Sequence, residues 1–579
     1  AARERSALAL LAFPVSLSLS LSLLQFLTYT IDDMSTKPEI ARKSSINAPT
    51  GPPVDAVPFD PPKPADQPKR TQAWRANARG LGKGDEEAGT TNYTACQAFE
   101  WYTEGNGKHW NWLKEKAPEF AEMGITAVWI PPPYKCDTKD STGYSPYDLW
   151  DLGEFDQKGA VETKYGTKQE LLDMIKAMKE NDAVLNHKAG ADRPETFKVI
   201  EVDQEDRTKE ISEPFDIEGW TGFDFEGRGD KYSKLKWNFE HFNGVDYDNK
   251  TQKNGIFKIL GENKGWNKHV DRSEKGVFDY LMSANIDVSH PIVREDLINW
   301  GKWLIKETGA DGFRFDAVRH IDEVFLSEFV RAVRDDNDNC VGEFWMPDVD
   351  VINGYLDKFP EQFSCFDAPL HDNFYQASMQ NENYDLRQIF DNTLVKTRPM
   401  DAVTIVANHD TQPGQTCEAP VGAWFAPLAY SLILLRGDGY PSIFLGDLVG
   451  CKSDPPVEPV SQLADFARAR KWFAYGPTRD YWDHPNCVGW VREGDKEHDG
   501  CAVVMCNGTE DGSKRMQIQG NDEHKGEEWI DVLGWSGDKT ITIGDDGWAD
   551  FTCPAKSVSI WVKKGARGLD AFKNAPKQE

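Results

Sequence analysis

Residues 310–345 contain two strand-like segments, ADGFRFDAVRH (310–320) and NCVGEFW (339–345), on either side of a helix-like segment, EVFLSEFVRAV (323–333). Two parallel strands joined through a helix form one β/α unit. The fold class depends on how often the chain repeats this unit.

The unit is repeated along most of the chain. Six further segments are short and apolar, as strands are: TACQAFEWY (94–102), ITAVWIPPP (125–133), DAVLNH (182–187), FSCFDAP (363–369), DAVTIVANHD (401–410) and YPSIFLGD (440–447). Helix-like segments separate several of them: HWNWLKEKAPEFAEMG (109–124), KQELLDMIKAMKEN (168–181) and REDLINWGKWLIKET (294–308). Strands and helices in this alternation predict an α/β fold, a (β/α)8 TIM barrel that closes on itself.

Two regions depart from the alternation. Residues 188–284 are polar and aromatic and too long for a loop of a compact domain, which predicts a small inserted domain after the third strand. After about residue 478 short strands and turns predict a C-terminal antiparallel β-sandwich. We therefore expect these regions: a leader or disordered segment (1–90), the barrel (91–187 and 285–478), the inserted domain (188–284), the sandwich (479–565) and a tail (566–579).

The first of these regions predicts no folded domain. Residues 7–28 (ALALLAFPVSLSLSLSLLQFLT) follow Arg3 and Arg5 and are typical of a secretory signal. The cleavage pattern is poor, however, and the Ser-Leu alternation is also what a translated dinucleotide repeat produces, which favours Met34 as the first residue and a cytoplasmic protein. The secreted alternative stays open. Residues 35–90 are rich in Pro, Lys, Asp and Gly and predict a disordered tail.

The composition argues against some classes of partner. The chain has 66 Lys and Arg against 95 Asp and Glu, a formal charge of −29. Nucleic acid and anionic membranes are poor partners for it, because phosphate binding needs a positive field. The 10 cysteines form no CxxC pair, and Cys96, Cys340 and Cys365 lie in apolar runs, so we expect buried, reduced thiols.

Carboxylates follow three of the predicted strands. Asp316 comes after GFRF, Glu343 after CVG and Asp410 after VANH. In a TIM barrel the chemistry lies at the carboxyl ends of the strands. Polar and cationic residues accompany these strand ends: Asn186, His187, Arg314, Arg319, His320 and His409. A lone acid at a strand end often caps a helix, but three of them predict a carboxylate-based site.

Close carboxylates without a Cys or Ser nucleophile are typical of glycoside hydrolysis. One carboxylate attacks the anomeric carbon, and the other, kept protonated, donates its proton to the leaving oxygen. The pKa of that acid must be raised by burial or by neighbouring negative charge. A third carboxylate can hold the sugar hydroxyls as charge develops on the ring.

Four motifs resemble those of a known family, the alpha-amylases of glycoside hydrolase family 13, and closely those of its bacterial liquefying and related fungal intracellular members. The motifs are DAVLNH (182–187), GFRFDAVRH (312–320), VGEFW (341–345) and VANHD (406–410). Flanking segments such as GITAVWIPPPYK (124–135) agree, and the resemblance covers about residues 93–564. The matches occur in the family's order, which chance similarity does not explain.

The resemblance implies a role for each matching residue. Asp316 matches the nucleophile, Glu343 the general acid/base and Asp410 the third carboxylate. Arg314 shares the strand face of Asp316 and is implied to keep it ionised, with Asp182 as a structural acid nearby. The other matches are sugar-binding residues: Tyr144, His187 and His409 in the cleavage subsite, and Arg319 and His320 in the leaving-group subsite, where the family more often has Lys-His.

In this family a Ca²⁺ ion joins the inserted domain to the barrel through oxygen ligands. Four positions match the ligands of this ion: Asn186, Asp279, Asn285 and the backbone carbonyl of His320. Asn243 matches a further position of the family's metal site, where the bacterial relatives carry an acid. Asn243, Asn267 and Asn285 stand where the bacterial relatives carry Asp, and Ser289 replaces another acid. Each change removes a negative charge, so the resemblance implies one Ca²⁺ of lowered affinity and no multi-ion cluster, with Asp287 as a compensating acid.

The third strand departs from the family pattern. Related chains place a run of mostly apolar residues before DAVLNH, whereas here MKEN (178–181) runs directly into Asp182. Only residues 183–185 remain as strand interior, where a strand usually has about five or six residues. We expect a gap in the barrel wall with unpaired backbone groups. A lost exon edge and a damaged protein both explain this departure.

The resemblance implies an endo-acting, retaining alpha-amylase that hydrolyses α-1,4-glucosidic bonds of starch, glycogen or maltodextrins. Its partner would be an α-glucan, with no nucleic acid or membrane partner, and the protein would be a monomer. The carboxyls of Asp316 and Glu343 are expected roughly 5–5.5 Å apart, the range of retaining enzymes.

Two alternatives stay open at this point. A transglycosylase would pass glucosyl units from the same site to another glucan, and products longer than the maltoheptaose substrate would favour it. A non-catalytic glucan-binding protein would follow from a damaged third strand, and amylose binding without new reducing ends would favour that.

Overall fold

The structure is a computed structural model, and it describes residues 92–176, 178, 181–333, 339–360, 362–518 and 524–578. The predicted leader and disordered tail (1–90) lie outside these residues. Within them, no helix combines the length and the apolar character that crossing a membrane requires.

Eight short parallel strands form the central sheet, and each overlaps one of the predicted strand segments or begins next to it. Their bounds are Ala95–Gln97, Ala127–Trp129, Asn181–Ala183, Gly312–Phe315, Asn339–Gly342, Ser364–Phe366, Ala402–Ile405 and Tyr440–Phe444. The eighth strand pairs in parallel with both the seventh and the first, so the sheet curves back on itself. The predicted (β/α)8 barrel is confirmed.

The barrel is nearly closed, and in the described residues the third strand is paired along one of its two edges. The third strand pairs with the fourth, and among the described residues it makes no pairing with the second. The expected gap stays a prediction, because residues 177, 179 and 180 lie outside the described ones. The predicted strand interior (183–185) was wrong, because the strand starts at Asn181 and ends at Ala183. A hydrogen bond from Trp129 Nε1 to Asp182 Oδ2 (3.0 Å) joins the second and third strands through side chains.

Helices connect several of the barrel strands, and others follow the last strand. The α-helices are His109–Met123, Lys168–Ile175, Pro291–Thr308, Glu323–Val333, Val349–Leu356, Ala368–Gln380, Leu394–Thr397, Ala426–Leu434, Leu445–Val449, Leu463–Trp472 and Leu569–Lys573. The helix predicted over 168–181 was too long, since the observed helix ends at Ile175. The first helix ends as expected at Gly124, whose φ of 90° is a left-handed conformation that glycine adopts without strain.

The region inserted after the third strand forms a six-stranded sheet whose pairings are antiparallel. Its strands are His187–Lys188, Arg193–Val202, Phe215–Gly222, Phe242–Asp248, Lys253–Ile259 and Ala284–Ile286. The first and last of these pair with each other. That pairing brings the two connections to the barrel side by side.

The C-terminal region is antiparallel, as predicted. Six strands form one sheet: Thr478–His484, Cys487–Arg492, Cys501–Cys506, Glu528–Asp531, Thr540–Thr542 and Ser557–Lys563. A two-stranded sheet, Gly512–Gln517 with Trp548–Cys553, shares a core of buried apolar residues with it. The exact domain boundaries given above stay a prediction.

Candidate active site

One buried arginine joins carboxylates from three strands. Arg314, which is 4% exposed, donates from Nη1 to Asp316 Oδ1 at 2.7 Å and from Nη2 to Glu343 Oε2 at 2.6 Å. The same Nη1 lies 3.3 Å from both oxygens of Asp182. A guanidinium presents several donors in one rigid plane, which allows it to bind several carboxylates at once.

Backbone hydrogen bonds place two of these acids immediately beyond the paired part of the barrel. The amide of Asp316 donates to Ala183 O (3.1 Å), and the amide of Glu343 donates to Phe315 O (2.9 Å). Ala317 then turns the chain in a left-handed conformation, with a φ of 44°. Its amide donates to Glu343 Oε2 at 3.0 Å. The side chains therefore point out of the carboxyl end of the barrel, where catalytic residues of such barrels lie.

The third carboxylate belongs to the same group. Asp410 accepts a hydrogen bond from the Glu343 carboxyl, and its Oδ2 lies 3.4 Å from Nε2 of His409. Asn408 Oδ1 accepts from the amide of Asp410 at 2.9 Å and so fixes the turn after the seventh strand. We call Asp182, Arg314, Asp316, Glu343 and Asp410 the carboxylate cluster. It unites the three acids that sequence analysis placed at separate strand ends.

The charges of the carboxylate cluster favour a protonated Glu343. Burial raises the pKa of Glu343 to about 8; Arg314 opposes this shift, while the nearby acids add to it. Oε2 of Glu343 already accepts from Arg314 and from the Ala317 amide. These two contacts leave Oε1 as the oxygen on which a proton fits, on the side of Asp410. Burial also raises the pKa of Asp182 to about 6 and raises that of Asp410.

Aromatic and imidazole rings form a wall beside the cluster. The ring of Tyr144 stacks on His409 at 4.9 Å, with 10° between the planes, and Trp101 stacks on Tyr144 at 6.0 Å. The hydroxyl of Tyr144 donates to Asp182 Oδ2 (3.0 Å). Burial lowers the pKa of both His187 and His409, which leaves two neutral imidazoles at neutral pH.

Sequence analysis missed two residues of this wall. The Nε2 atom of Gln97 lies 2.9 Å from Nδ1 of His409, and this contact orients the imidazole ring. Trp101 completes the stack of rings. Both lie in TACQAFEWY, in which Gln97 is the last residue of the first strand. The position of Gln97 at the end of a strand is the signal that could have identified it, and Trp101 lies in the loop that follows.

The residues predicted for the leaving-group subsite are held by the inserted region. Arg319 donates to Asp271 Oδ2 (2.7 Å) and to Glu274 Oε1 (3.0 Å). The ring of His320 stacks on Phe278 at 4.2 Å. The loop 271–278 therefore fixes both side chains, and sequence analysis did not identify Asp271 because its partner is remote in the chain.

Known proteins resemble this chain over most of its length. A model of the alpha-amylase catalytic domain matches residues 102–534. The chain is 45% identical over 486 residues to a glucan 1,4-alpha-maltohexaosidase of Bacillus sp. (strain 707), which covers 82% of this chain and 93% of that protein.

The chain belongs to the alpha-amylase family. It is 43% identical to the cytoplasmic alpha-amylase of Escherichia coli (strain K12), over 81% of this chain and 99% of that one. The crystal structure of an alpha-amylase from Geobacillus thermoleovorans, complexed with acarbose, superposes with a TM-score of 0.54 at 18% identity, covering 82% of this chain and 98% of the other. An alpha-amylase from Malbranchea cinnamomea gives a TM-score of 0.53 at 15% identity, covering 87% and 99%. These two likenesses concern the fold.

The calcium ligands implied by the alpha-amylase family lie in a second buried cluster. Asp279 is fully buried, and its Oδ2 accepts from Asn243 Nδ2 (2.9 Å) and from the amide of Asn267 (2.7 Å). Its Oδ1 accepts from Asn267 Nδ2 (2.9 Å). Asn285 Nδ2 donates to Asn243 Oδ1 (2.8 Å). We call Asp279, Asn243, Asn267 and Asn285 the amide cluster, because neutral amides surround its one carboxylate.

Beside the amide cluster, the residues fit a single cation. Asn186 Nδ2 lies 3.1 Å from Asp279 O and 2.8 Å from His320 O. A rotation of the Asn186 side-chain amide by half a turn exchanges Nδ2 and Oδ1. Oδ1 of Asn186 would then lie beside the backbone oxygens of Asp279 and His320, which gives three oxygen ligands of the kind that Ca²⁺ prefers. Oδ1 of Asn267 and Oδ1 of Asn285 are buried without a hydrogen-bond partner and are further candidate ligands.

The acids near the amide cluster make other contacts. In the part of the chain that the structure describes, no group of three or more acidic, His or Cys side chains could hold a metal ion. Asp287, which was expected to compensate for the lost acids, pairs instead with Lys264 at 2.8 Å. Lys264 Nζ also donates to Phe242 O (3.1 Å). The charge of Asp287 is thus neutralised by an ammonium group of the protein.

Proposed function

We propose that this protein is an endo-acting, retaining alpha-amylase that hydrolyses α-1,4-glucosidic bonds in starch, glycogen or maltodextrins. The observation that carries the proposal is the shared guanidinium of Arg314, which binds Asp316 and Glu343 while Glu343 keeps its proton. A nucleophile and a proton donor side by side are what double displacement requires. Membership of the family and the names of the relatives support the same activity.

The first step divides the work between two acids. Oδ1 of Asp316 is bound by Arg314, so Oδ2 attacks the anomeric carbon. Glu343 gives its Oε1 proton to the glycosidic oxygen as that bond breaks. The departing glucan then has a free hydroxyl, and the remaining sugar is an ester of Asp316. Asp410 and the neutral imidazoles hold hydroxyls of the distorted ring.

The second step depends on a change in the charge of the site. Formation of the ester removes the negative charge of Asp316, which had contributed to the raised pKa of Glu343. Glu343 therefore becomes a carboxylate more easily and takes a proton from water. That water attacks the anomeric carbon and restores Asp316. Two inversions leave the product with the α configuration.

A Ca²⁺ ion is part of the proposal. Asn186, Asp279, Asn285 and the carbonyl of His320 would hold it, while Asn243 supports Asp279 through a hydrogen bond. When bound, it would supply positive charge that joins the inserted region to the barrel. We further propose a monomer in the cytoplasm; the 43% identity to a cytoplasmic relative supports the location.

The test uses purified full-length protein and maltoheptaose. Proton NMR of the fresh products should show the α anomer first, and chromatography should show internal cleavage into shorter oligosaccharides. The β anomer would contradict the retaining mechanism. Oligosaccharides longer than seven units as the main products would make the protein a transglycosylase, and absence of new reducing ends would make it a binding protein.

A further inference from the structure

Three cysteines of the two C-terminal sheets lie close together, remote in the chain from the carboxylate cluster. A methyl group placed on Gly512 would lie 2.9 Å from Cys487 Sγ, 2.9 Å from Cys506 Cβ and 3.0 Å from Cys553 Sγ. All three cysteines carry free thiols. A residue without a side chain therefore provides the space in which these thiols converge.

Two of these cysteines face each other across neighbouring strands. Cys487 and Cys506 are register partners in the antiparallel pairing. The next pair along the strands is joined by a hydrogen bond from the amide of Asn507 to Asn486 O (3.1 Å). Because bonded and non-bonded pairs alternate, Cys487 and Cys506 form a non-bonded pair, with Cα atoms about 4.5 Å apart. A disulfide spans Cα distances of about 4.4–6.8 Å, so this pair is within reach of one.

The two thiols differ in their chemistry. The amide of Gly508 donates to Cys506 Sγ at 3.3 Å. A hydrogen bond from the Cys487 thiol lowers the pKa of Cys506, and the same bond raises the pKa of Cys487. Burial raises the pKa of the third thiol, Cys553. Cys506 is therefore the more readily ionised thiol of the pair, and in the structure its Sγ still donates a hydrogen bond to Glu510 O at 3.5 Å.

A pocket gives small molecules access to the pair. It has a volume of about 470 Å³, and both Cys487 and Cys506 line it, together with Glu510 and Ser513. Cys553 does not line the pocket. Access is thus restricted to the two residues that can form a bond with each other.

We propose that Cys506 and Cys487 form a thiol–disulfide exchange site for low-molecular-weight disulfides. The Cys506 thiolate attacks one sulfur of the small disulfide, whose S–S bond breaks, and the first small thiolate leaves and takes up a proton. Cys487 then loses its proton to solvent and attacks Cys506 Sγ, which expels the second small thiolate. Two protein thiols are oxidised to one disulfide, and the small disulfide is reduced to two thiols.

Oxidised glutathione is the probe, used on the full-length protein with peptide mass spectrometry. We expect a Cys487–Cys506 bond in the wild type. Cys487→Ser should stop the reaction at a glutathione adduct on Cys506, and Cys506→Ser should abolish both products. Cys501→Ser is the matched control, because Cys501 lies on the same strand as Cys506 and is fully buried. It should react as the wild type does, and starch hydrolysis should show that each variant is folded.

Alkylation of the wild type by iodoacetamide tests the same site without any substitution. Cys417 is half-buried, whereas Cys506 is 3% exposed. If exposure alone decided reactivity, Cys417 would react first. We expect Cys506 to react at least several-fold faster near neutral pH, because burial raises the pKa of Cys417 to about 12. Faster alkylation of Cys417, or glutathione found on Cys417 and not on Cys506, would overturn the proposal.

Discussion

The carboxylate cluster and the amide cluster both bury acids away from water, but they balance the negative charge differently. The carboxylate cluster places one guanidinium, that of Arg314, among several acids. The amide cluster surrounds one acid, Asp279, with neutral donors. Burial raises the pKa of Asp279 to about 6, whereas the pKa of Glu343 rises to about 8 because other acids add to the effect of burial.

This difference in charge balance makes the carboxylate cluster suited to catalysis and the amide cluster suited to a structural role. One guanidinium cannot neutralise every acid that surrounds it, so a proton stays on Glu343 and is available for transfer. Amides donate hydrogen bonds without adding charge, so the amide cluster leaves no proton or nucleophile in excess. The following predictions change one cluster at a time.

The largest effect is expected from Asp316→Asn. An amide does not attack the anomeric carbon, so starch hydrolysis, measured as new reducing ends, should fall by about 10⁴-fold or more. Thermal melting should show a folded protein. The matched substitution in the amide cluster, Asp279→Asn, should keep kcat within a few-fold of the wild type. Near-wild-type activity of Asp316→Asn would refute the role of Asp316.

Removal of the guanidinium should destabilise the fold. Arg314→Met leaves buried acids without their cation, and breaking a buried ion pair in this way costs about 3–5 kcal/mol. Urea unfolding should show that loss in the free energy of unfolding. The double variant Arg314→Met with Asp182→Asn should recover part of it, since one uncompensated acid is removed. Equal stability of the wild type and Arg314→Met would contradict the electrostatic account.

The pH profile reports the proton of Glu343. The pKa is raised to about 8, so the acid form is present below that pH and is lost as the pH rises through it. The value of kcat/KM on maltoheptaose should therefore fall on the alkaline side, by about tenfold per pH unit once the acid form is the minor species. A profile that stays flat to pH 10 would show that Glu343 is not the proton donor.

The smallest effect is expected from Asn285→Asp in the amide cluster. An added carboxylate raises the ligand charge, and Ca²⁺ affinity increases with that charge. Ca²⁺ should then raise the melting temperature of the variant by more than that of the wild type, with a gain of about 1–3 kcal/mol in stability at saturating ion. Calorimetry with and without a chelator measures this. Equal shifts in both proteins would remove Asn285 from the ligand set.

The fold and the acids were predictable because both leave local signals. Each barrel strand is a short apolar run, and Asp316 and Glu343 follow such runs directly. Other features depend on pairs of segments remote in the chain. The bounds of the third strand are set by its partner, and Lys264 meets Asp287 only through the fold of the inserted region. Contacts of this kind leave no sequence pattern within either segment, so they could not be predicted from the sequence.

The pairing of Lys264 with Asp287 has a consequence for how the inserted region stays attached to the barrel. Both side chains are almost completely shielded from solvent, with 8% and 3% exposed. A counter-ion that is covalently tethered has no dissociation equilibrium, so dilution and chelating agents cannot remove it. This contact is therefore supplied by the polypeptide itself, and because both side chains are buried it depends little on the ionic strength of the surroundings.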